Sequence, residues 1–478
     1  MRQLSGLDAG FLSWEGAHTV GHVTSVLLLD TTTAPEPWTF ERFGALLEAR
    51  VGAVGPMTEK LVEVPLGLDR PYWVPADDFD LEDHLHYIAV PGDGGREVFA
   101  DLVARIHERP LDRRRPLWEC HVVDGVAGGG KALISKIHHA AIDGLSGQEI
   151  LATLVDLDPD APLERPDLDA SKVGGKATGP DTAEVMSRAA LSLLTSPTRM
   201  VRAGRALSRL LPVVGPAIRQ VNPATGADEA VSDTLRRIGA APRTPFNAAI
   251  GPHRRWANAS VPLDRMKAIK NAAGSTVNDA VLAVVAGTVR SWLDDADALP
   301  DRSLMAMIPL SVRAEGQQNA IGNYLSATVS TLATHLDDPA ERLAAIKAGM
   351  DSAKEGQQAL PADILTDLTQ VAPPAVAALA ARLVASTKLA DRVGLPFNLV
   401  VSNVPGPPIP LYLAGARITD HYPVSTIVDG VGLNVTIMSV DGKLGFGYVA
   451  DRNLIPDLWS LADRTEAAVD ELAEAVGA

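Results

Sequence analysis

The chain has 478 residues, more than a single hydrophobic core usually organises, so two domains are expected. Hydrophobic residues make up 46%, which suits a packed fold and excludes a disordered chain. A formal charge of −16 argues against nucleic acid as the main partner, because phosphate binding needs a basic footprint. Cys120 is the single cysteine, which excludes an internal disulfide and a cysteine-based zinc site. The opening MRQLSGLDAGFLSWEGAHTV has no basic start followed by an apolar run, so no secretory signal is expected. No apolar run reaches the roughly 18–20 residues of a membrane-spanning helix. The expected location is the cytoplasm, or the periphery of a membrane or lipid inclusion.

In chain order, HVTSVLLLD (22–30) reads as a buried strand and TFERFGALLEARV (39–51) has helical spacing. PLWECHVVDG (116–125) and KALISKIHH (131–139) read as strands joined through the glycine-rich GVAGGG turn. LSGQEILATLV (145–155) follows as a helix, with Asp143 or Ser146 as N-terminal cap. These elements define a first α/β half over 1–156. Residues 157–245 read as a linker. It opens on a stretch rich in Pro, Asp and Gly, and 184–219 then carries six arginines against one glutamate. Arg202, Arg205 and Arg209 share a helical face beside Val201, Leu207, Leu210 and Leu211, which fits either a solvated face or a helix lying on an anionic membrane. A second α/β half over 246–478 has a strand at 255–263 and helices over 264–273 and 276–293. Further strands are expected at LMAMIPL, FNLVVSNV, GLNVTIMSV and KLGFGYVA, and a last helix over about 457–475.

Two motifs compete for the chemistry. GVAGGGKA (125–132) begins like a phosphate-binding loop, but Ala132 replaces the hydroxyl that would ligate magnesium. A strand-like run also follows where that loop must open a helix, so a hairpin accounts for it better. SKIHHAAIDGLSG (135–147) sets His138 and His139 together at a strand end, with Asp143 and Gly144 in a sharp exit. A metal reading pairs His139 with Asp143 but leaves the third ligand unassigned. A structural reading makes the two histidines packed groups. A general-base reading aims His139 at a hydroxyl, which an imidazole can deprotonate near neutral pH. No covalent nucleophile accompanies it, since neither Cys120 nor Ser135 sits in a nucleophile elbow.

HHAAIDG fits the HHxxxDG signature of the acyl-CoA-dependent condensation superfamily. LSGLDAGFLSWEG (4–16), RRRPLWECHVVDG (113–125), STVNDAVLAVVAG (275–287), IGNYLS (321–326) and LPFNLVVSNVPGP (395–407) narrow the match. With them, the chain resembles the bacterial wax ester synthase/diacylglycerol O-acyltransferase family from about residue 4 to about 470. The resemblance implies an α/β fold of two chloramphenicol-acetyltransferase-like subdomains with the active-site tunnel at their interface. It implies an acyl-CoA-dependent O-acyltransferase that makes triacylglycerol or wax ester from diacylglycerol or a long-chain fatty alcohol. Acyl-CoA is then a substrate, and no cofactor or metal is expected.

By the same resemblance His139 is the base, with His138 packed or hydrogen-bonded beneath it. Asp143 is paired structurally with an arginine, for which Arg313 in IPLSVR is the candidate, and Gly144 permits the turn. Pro116, Leu117 and Trp118 either line the acyl path or fill a buried strand. Asn278 and Asp279 either meet substrate or cap a helix, and Ser402 and Asn403 either reach the tunnel or serve a rigid crossing between the halves. Two rivals remain: an HHxxxDG acyltransferase that takes its acyl group from a carrier protein, and a catalytically weak protein associated with lipid inclusions.

Overall fold

The computed structural model describes residues 2–65, 69–127, 129–142, 147–164, 241–311, 325–354 and 395–478. The first half contains β1 (Arg2–Gln3), α1 (Gly6–Trp14), β2 (His22–Asp30), α2 (Phe40–Arg50), α3 (Gly55–Thr58), β3 (Glu59–Val62), β4 (Tyr72–Pro75), β5 (Leu85–Ala89), α4 (Arg96–His107), β6 (Trp118–Val126), β7 (Gly130–His138), α5 (His139–Ile142) and α6 (Gly147–Leu154). The second contains β8 (Arg254–Pro262), α7 (Leu263–Ala272), α8 (Val277–Asp295), β9 (Met305–Ser311), β10 (Leu325–Thr331), α9 (Pro339–Lys354), β11 (Leu399–Val404), β12 (Tyr412–Leu413), β13 (Ala416–Val424), β14 (Leu433–Val440), β15 (Lys443–Asp451), α10 (Trp459–Ala462) and α11 (Thr465–Val476). The arginine-rich stretch, Asp143, Gly144 and Arg313 lie outside the described residues.

Among the described residues, two six-stranded sheets organise the fold. The first has the order β12-β13-β2-β7-β6-β5, the second β10-β9-β11-β14-β15-β8, and β1, β4 and β3 form a small third sheet. Both large sheets mix parallel and antiparallel pairs. Strand β2 carries the continuous apolar run Val26–Leu29, so it buries both faces: Leu27 and Leu29 join the layer with α2 while Val26 faces the opposite layer. On one face of the first sheet, Phe43 and Leu47 of α2 pack on Trp118, Val122 and Leu133. On the other, Phe99 and Val103 of α4 pack on Val123 and Ile134 and reach Trp256 of β8. Helix α4 is thus shared between the halves.

Strands β12 and β13 come from the second half of the sequence but complete the first sheet. The chain leaves the second sheet at Val404, crosses over 405–411, and pairs with β2 through β13. Two glycines of β15 make this crossing fit. A methyl at Gly447 would stand 1.8 Å from the Pro423 carbonyl oxygen, and one at Gly445 would stand 2.1 Å from that of His421. Only glycine lets β13 lie so close to the second sheet.

The second half is built around α8. A capping box at Thr276 and Asp279 starts it, and Ala280 to Ala286 are all buried, so the helix is apolar on every side. No single helix among the described residues is long and apolar enough to cross a membrane. Helices α7 and α8 pass that test only as a pair bent by 102°, and α8 is core.

Candidate active site

The two histidines sit at a change of secondary structure, and this separates their rings. His138 ends β7 and His139 begins α5. The His138 N–H donates to Leu117 O at 3.0 Å, and the His139 N–H donates to Gly21 O at 2.9 Å. Neighbouring strands on both sides therefore fix the backbone from which the rings project.

His138 is buried, with its two ring nitrogens facing Ala140 and Glu15. Its Nδ1 accepts the Ala140 N–H at 3.0 Å, which assigns the ring proton to Nε2. Nε2 lies 3.3 Å from Glu15 Oε1. A methyl at Gly21 would stand 2.4 Å from the same nitrogen, so glycine is required there for the ring to enter. Glu15 is held in turn. Oε1 accepts the Gly21 N–H at 3.0 Å, and Oε2 accepts Arg113 Nε at 3.0 Å and Nη2 at 2.6 Å. Arg113 Nη2 also donates to Leu12 O at 2.7 Å. Burial pushes the Glu15 carboxyl up, but His138, Arg113 and the Gly21 N–H outweigh it and hold the group at about 2. The result is a fixed chain from Arg113 through Glu15 to His138.

His139 is different. Its ring is half-buried and lies flat on Phe11, with centroids 4.4 Å apart and planes 8° from parallel. Among the described residues neither ring nitrogen has a hydrogen-bond partner. Burial first, and the charge of His138 second, pull its pKa down to about 4, while Asp8 opposes them. The imidazole is therefore in its base form at neutral pH. Asp8 lies on α1, where it closes a capping box with Ser5, and its Oδ1 is buried with no hydrogen-bond partner among the described residues. Cys120 is no competing nucleophile, since burial drives its thiol up to about 12. What this arrangement can do is accept a proton from a hydroxyl brought to the open side of His139.

The wax ester synthase/diacylglycerol acyltransferase catalytic-domain model matches residues 4–281, and the WS/DGAT C-terminal-domain model matches 321–473. This chain belongs to that family, and it is an acyltransferase. It is 35% identical over 475 residues to a Mycobacterium tuberculosis protein named as a diacylglycerol O-acyltransferase, covering 99% of this chain and 90% of that one. A second M. tuberculosis protein of that name is 36% identical over 477 residues, covering 98% of both. The solved wax ester synthase/diacylglycerol acyltransferase from Marinobacter aquaeolei VT8 superposes with a TM-score of 0.69 at 28% identity, over 100% of both chains. A condensation domain of the CDA synthetase shares the fold alone, at TM-score 0.50 and 15% identity, over 100% of this chain and 96% of that one. The α/β architecture of two sheet-bearing halves is the one observed.

In this acyltransferase the other motif residues fall into distinct places. Leu117 packs beside Ala140 and Ala141 beneath α5, and its carbonyl holds His138. Trp118 points to the opposite face, donates Nε1–H to Met57 O at 2.8 Å and stacks on His84. Pro116 is buried and its carbonyl accepts the Trp118 N–H at 2.8 Å. Asp279 caps α8: its Oδ2 accepts the Thr276 N–H at 2.9 Å. Asn278 and Asn403 come together across the second half, with Asn403 Nδ2 donating to Asn278 Oδ1 at 3.4 Å. Ser402 is half-buried on β11, opposite Thr436.

Sequence reasoning missed the contribution of α1. Asp8, Phe11 and Glu15 recur at helical spacing within LSGLDAGFLSWEG and together bring a charge, a ring and a carboxylate to the histidines. That spacing was the available signal. A surface hollow of about 380 Å³ elsewhere is rimmed by Arg290, Asp294, Asp301 and His335. Its charged lining does not suit an apolar substrate.

Proposed function

We propose that this acyltransferase moves a fatty acyl group from acyl-CoA to the hydroxyl of diacylglycerol or a long-chain fatty alcohol, giving triacylglycerol or wax ester, with His139 as general base. The observation that carries this reading is the imidazole of His139, stacked on Phe11 and without a hydrogen-bond partner among the described residues, beside a His138 held between Ala140 and Glu15. His139 takes the hydroxyl proton as the alcohol oxygen attacks the thioester carbonyl. The tetrahedral intermediate collapses by breaking the C–S bond, and the imidazolium returns its proton to the departing CoA sulfur. The products are a neutral ester and free CoA thiol, so the atoms balance with no further reactant.

The base needs only a hydroxyl and does not itself choose the alcohol. Choice comes from apolar burial, worth about 0.8 kcal/mol per CH₂. The groups facing the open histidine support an apolar acceptor. Phe11 covers one side of the ring, and the exposed Trp14 stands edge-on to Phe11 at 5.8 Å. Access to such lipids fits a location at the periphery of a membrane or lipid inclusion, with the arginine-rich stretch at 202–209 as the contact.

The test is thiol release from palmitoyl-CoA across a panel of acceptors, with thin-layer identification of the product. Diacylglycerol or a long-chain alcohol should give thiol and ester, while short polar alcohols and amino acids should be poor. Activity only with a carrier-protein donor, or only with amines, would overturn the reading. Absence of turnover with every donor would favour a coat protein that retains the fold.

A further inference from the structure

We propose that His86, Glu119 and His121 form a binding site for a divalent transition cation, with Zn²⁺ as the best-suited ion, apart from the His138–His139 pair. Glu119 and His121 are two residues apart on β6 and so project from the same face of the first sheet, opposite the face that carries Trp118. His86 on the parallel strand β5 is the register partner of His121. One nitrogen or oxygen from each of the three side chains lies within 4.8 Å of the other two. The two imidazoles sit with centroids 4.8 Å apart and planes tilted by 36°.

A second, independent observation concerns His121. The residue is only 8% exposed, yet neither of its ring nitrogens has a hydrogen-bond partner. The nearest acceptor, Glu119 Oε2, is 3.6 Å from Nε2, beyond hydrogen-bond reach. A buried imidazole with both nitrogens unsatisfied is costly, and a metal bond to one of them would relieve that cost.

The Lys136 ammonium faces Glu119 and favours its carboxylate form. Lys136 Nζ lies 3.2 Å from Glu119 Oε2, but it also donates to Arg109 O at 2.7 Å and Ile106 O at 3.1 Å. Two backbone carbonyls thus retain Lys136 while the second carboxylate oxygen turns to the ion. Two imidazoles and a carboxylate form a nitrogen–oxygen set that suits Zn²⁺, with remaining positions open to water. Tetrahedral bonds of about 2.0–2.2 Å bring ligand atoms to roughly 3.4 Å from each other, a contraction that side-chain rotation supplies. His86 and Glu119 are half-buried, so the ion has a route from solvent. Bound there, it would pin β5, the edge strand of the first sheet, to β6.

The experiment uses the full chain without an affinity tag, stripped with EDTA. Titration with Co²⁺ should give the visible absorption of a low-coordinate nitrogen–oxygen site that saturates at one equivalent. Zn²⁺ should abolish that absorption, and Zn²⁺ alone should raise the melting temperature. His86→Ala and His121→Asn should each lose both signals, while His335→Ala, at an exposed position, should keep them. His86 is half-exposed, so its replacement leaves the core intact and keeps the test decisive if His121→Asn fails to fold. No Co²⁺ band in the parent would overturn the proposal. Unchanged stoichiometry in His86→Ala would overturn it too, since the ion would then sit on other histidines.

Discussion

The two large sheets share a strand count but solve burial differently. The first buries imidazoles: His22, His84, His107, His121, His138 and His421 are all buried in or against it. Among the described residues the second sheet buries no histidine. His253 at its margin is half-exposed and His335 is exposed. Strands β14 and β15 instead bury Leu433, Val435, Ile437, Leu444, Phe446 and Tyr448 against the apolar helix α8. Buried polar groups cost stability unless they are bonded, so they persist where they hold a geometry. Around the first sheet they do so in sequence: Thr24 Oγ1 meets His107 Nδ1 at 2.9 Å, His22 Nε2 meets His107 O at 2.7 Å, and Glu15 meets His138. In the proposed function the chemistry sits at the histidine-rich first sheet, and the second sheet is its scaffold.

The sharpest division of labour is expected from His139. His139→Ala should lower kcat by on the order of 10²–10⁴, the range for loss of a general base, with melting close to that of the parent. Near-parental turnover in a folded mutant would show that the base lies elsewhere. The scaffold should respond in the opposite way. Leu293→Ala removes a fully buried side chain from the far end of α8 and should cost about 2–5 kcal/mol in denaturant unfolding. Turnover per folded molecule should stay near parental; a matching fall in kcat would mean that the second sheet participates in the chemistry.

A smaller effect is expected one contact back from the histidines. Glu15→Gln keeps the shape but removes the charge shared by His138 and Arg113. Loss of charge-assisted hydrogen bonding is worth about 1.5 kcal/mol, or roughly tenfold in kcat. KM should change little, because Glu15 touches no substrate in this reading. A change confined to KM would show that Glu15 belongs to the binding surface and does not position His138.

Much of this division was legible in the sequence. The strand at 22–30 follows from its apolar run, those at 118–126 and 130–138 from strand-like patterning about a glycine-rich turn, and the buried helix α8 from its continuous apolar run. The histidine pair stood out because a strand ended there. Strand β13 was not legible: ARITDHYPV carries Asp420 and His421 in its middle, and its partner β2 lies almost 400 residues earlier. Nothing local encodes that pairing, and the glycines that permit it sit on a third strand. The Glu15–His138 contact was hidden for the same reason, since its spacing on α1 says which residues share a face but not what that face meets. Asp143, Gly144 and Arg313 lie outside the described residues, so the proposed Asp143–Arg313 brace rests on the sequence alone.

The subtlest consequence of the polar interior is a dependence of stability on pH. Burial first lowers the pKa of His22 to about 3 and that of His421 to about 4, against an ordinary 6.5. Between roughly pH 6.5 and 4 the unfolded chain protonates these rings while the folded chain does not, so the unfolded state holds more protons and stability falls as pH falls. Each such ring contributes a slope of up to about 1.4 kcal/mol per pH unit in that window. Glu15, with its pKa at about 2, adds a further loss only below about pH 4.5. His421→Gln isolates one ring. It disturbs the hydrogen bond between Ser25 Oγ and His421 Nε2 at 2.6 Å, which shifts the whole stability curve by a constant. Loss of the titration does something else: it flattens the curve between pH 6.5 and 4 by about one proton's slope. Urea unfolding of parent and mutant at half-unit pH steps separates the two effects, because an offset moves the intercept and titration changes the gradient. Parallel curves across that window would mean that His421 is protonated in the folded state as readily as in the unfolded chain, and the first sheet's interior would then be wetter than its burial implies.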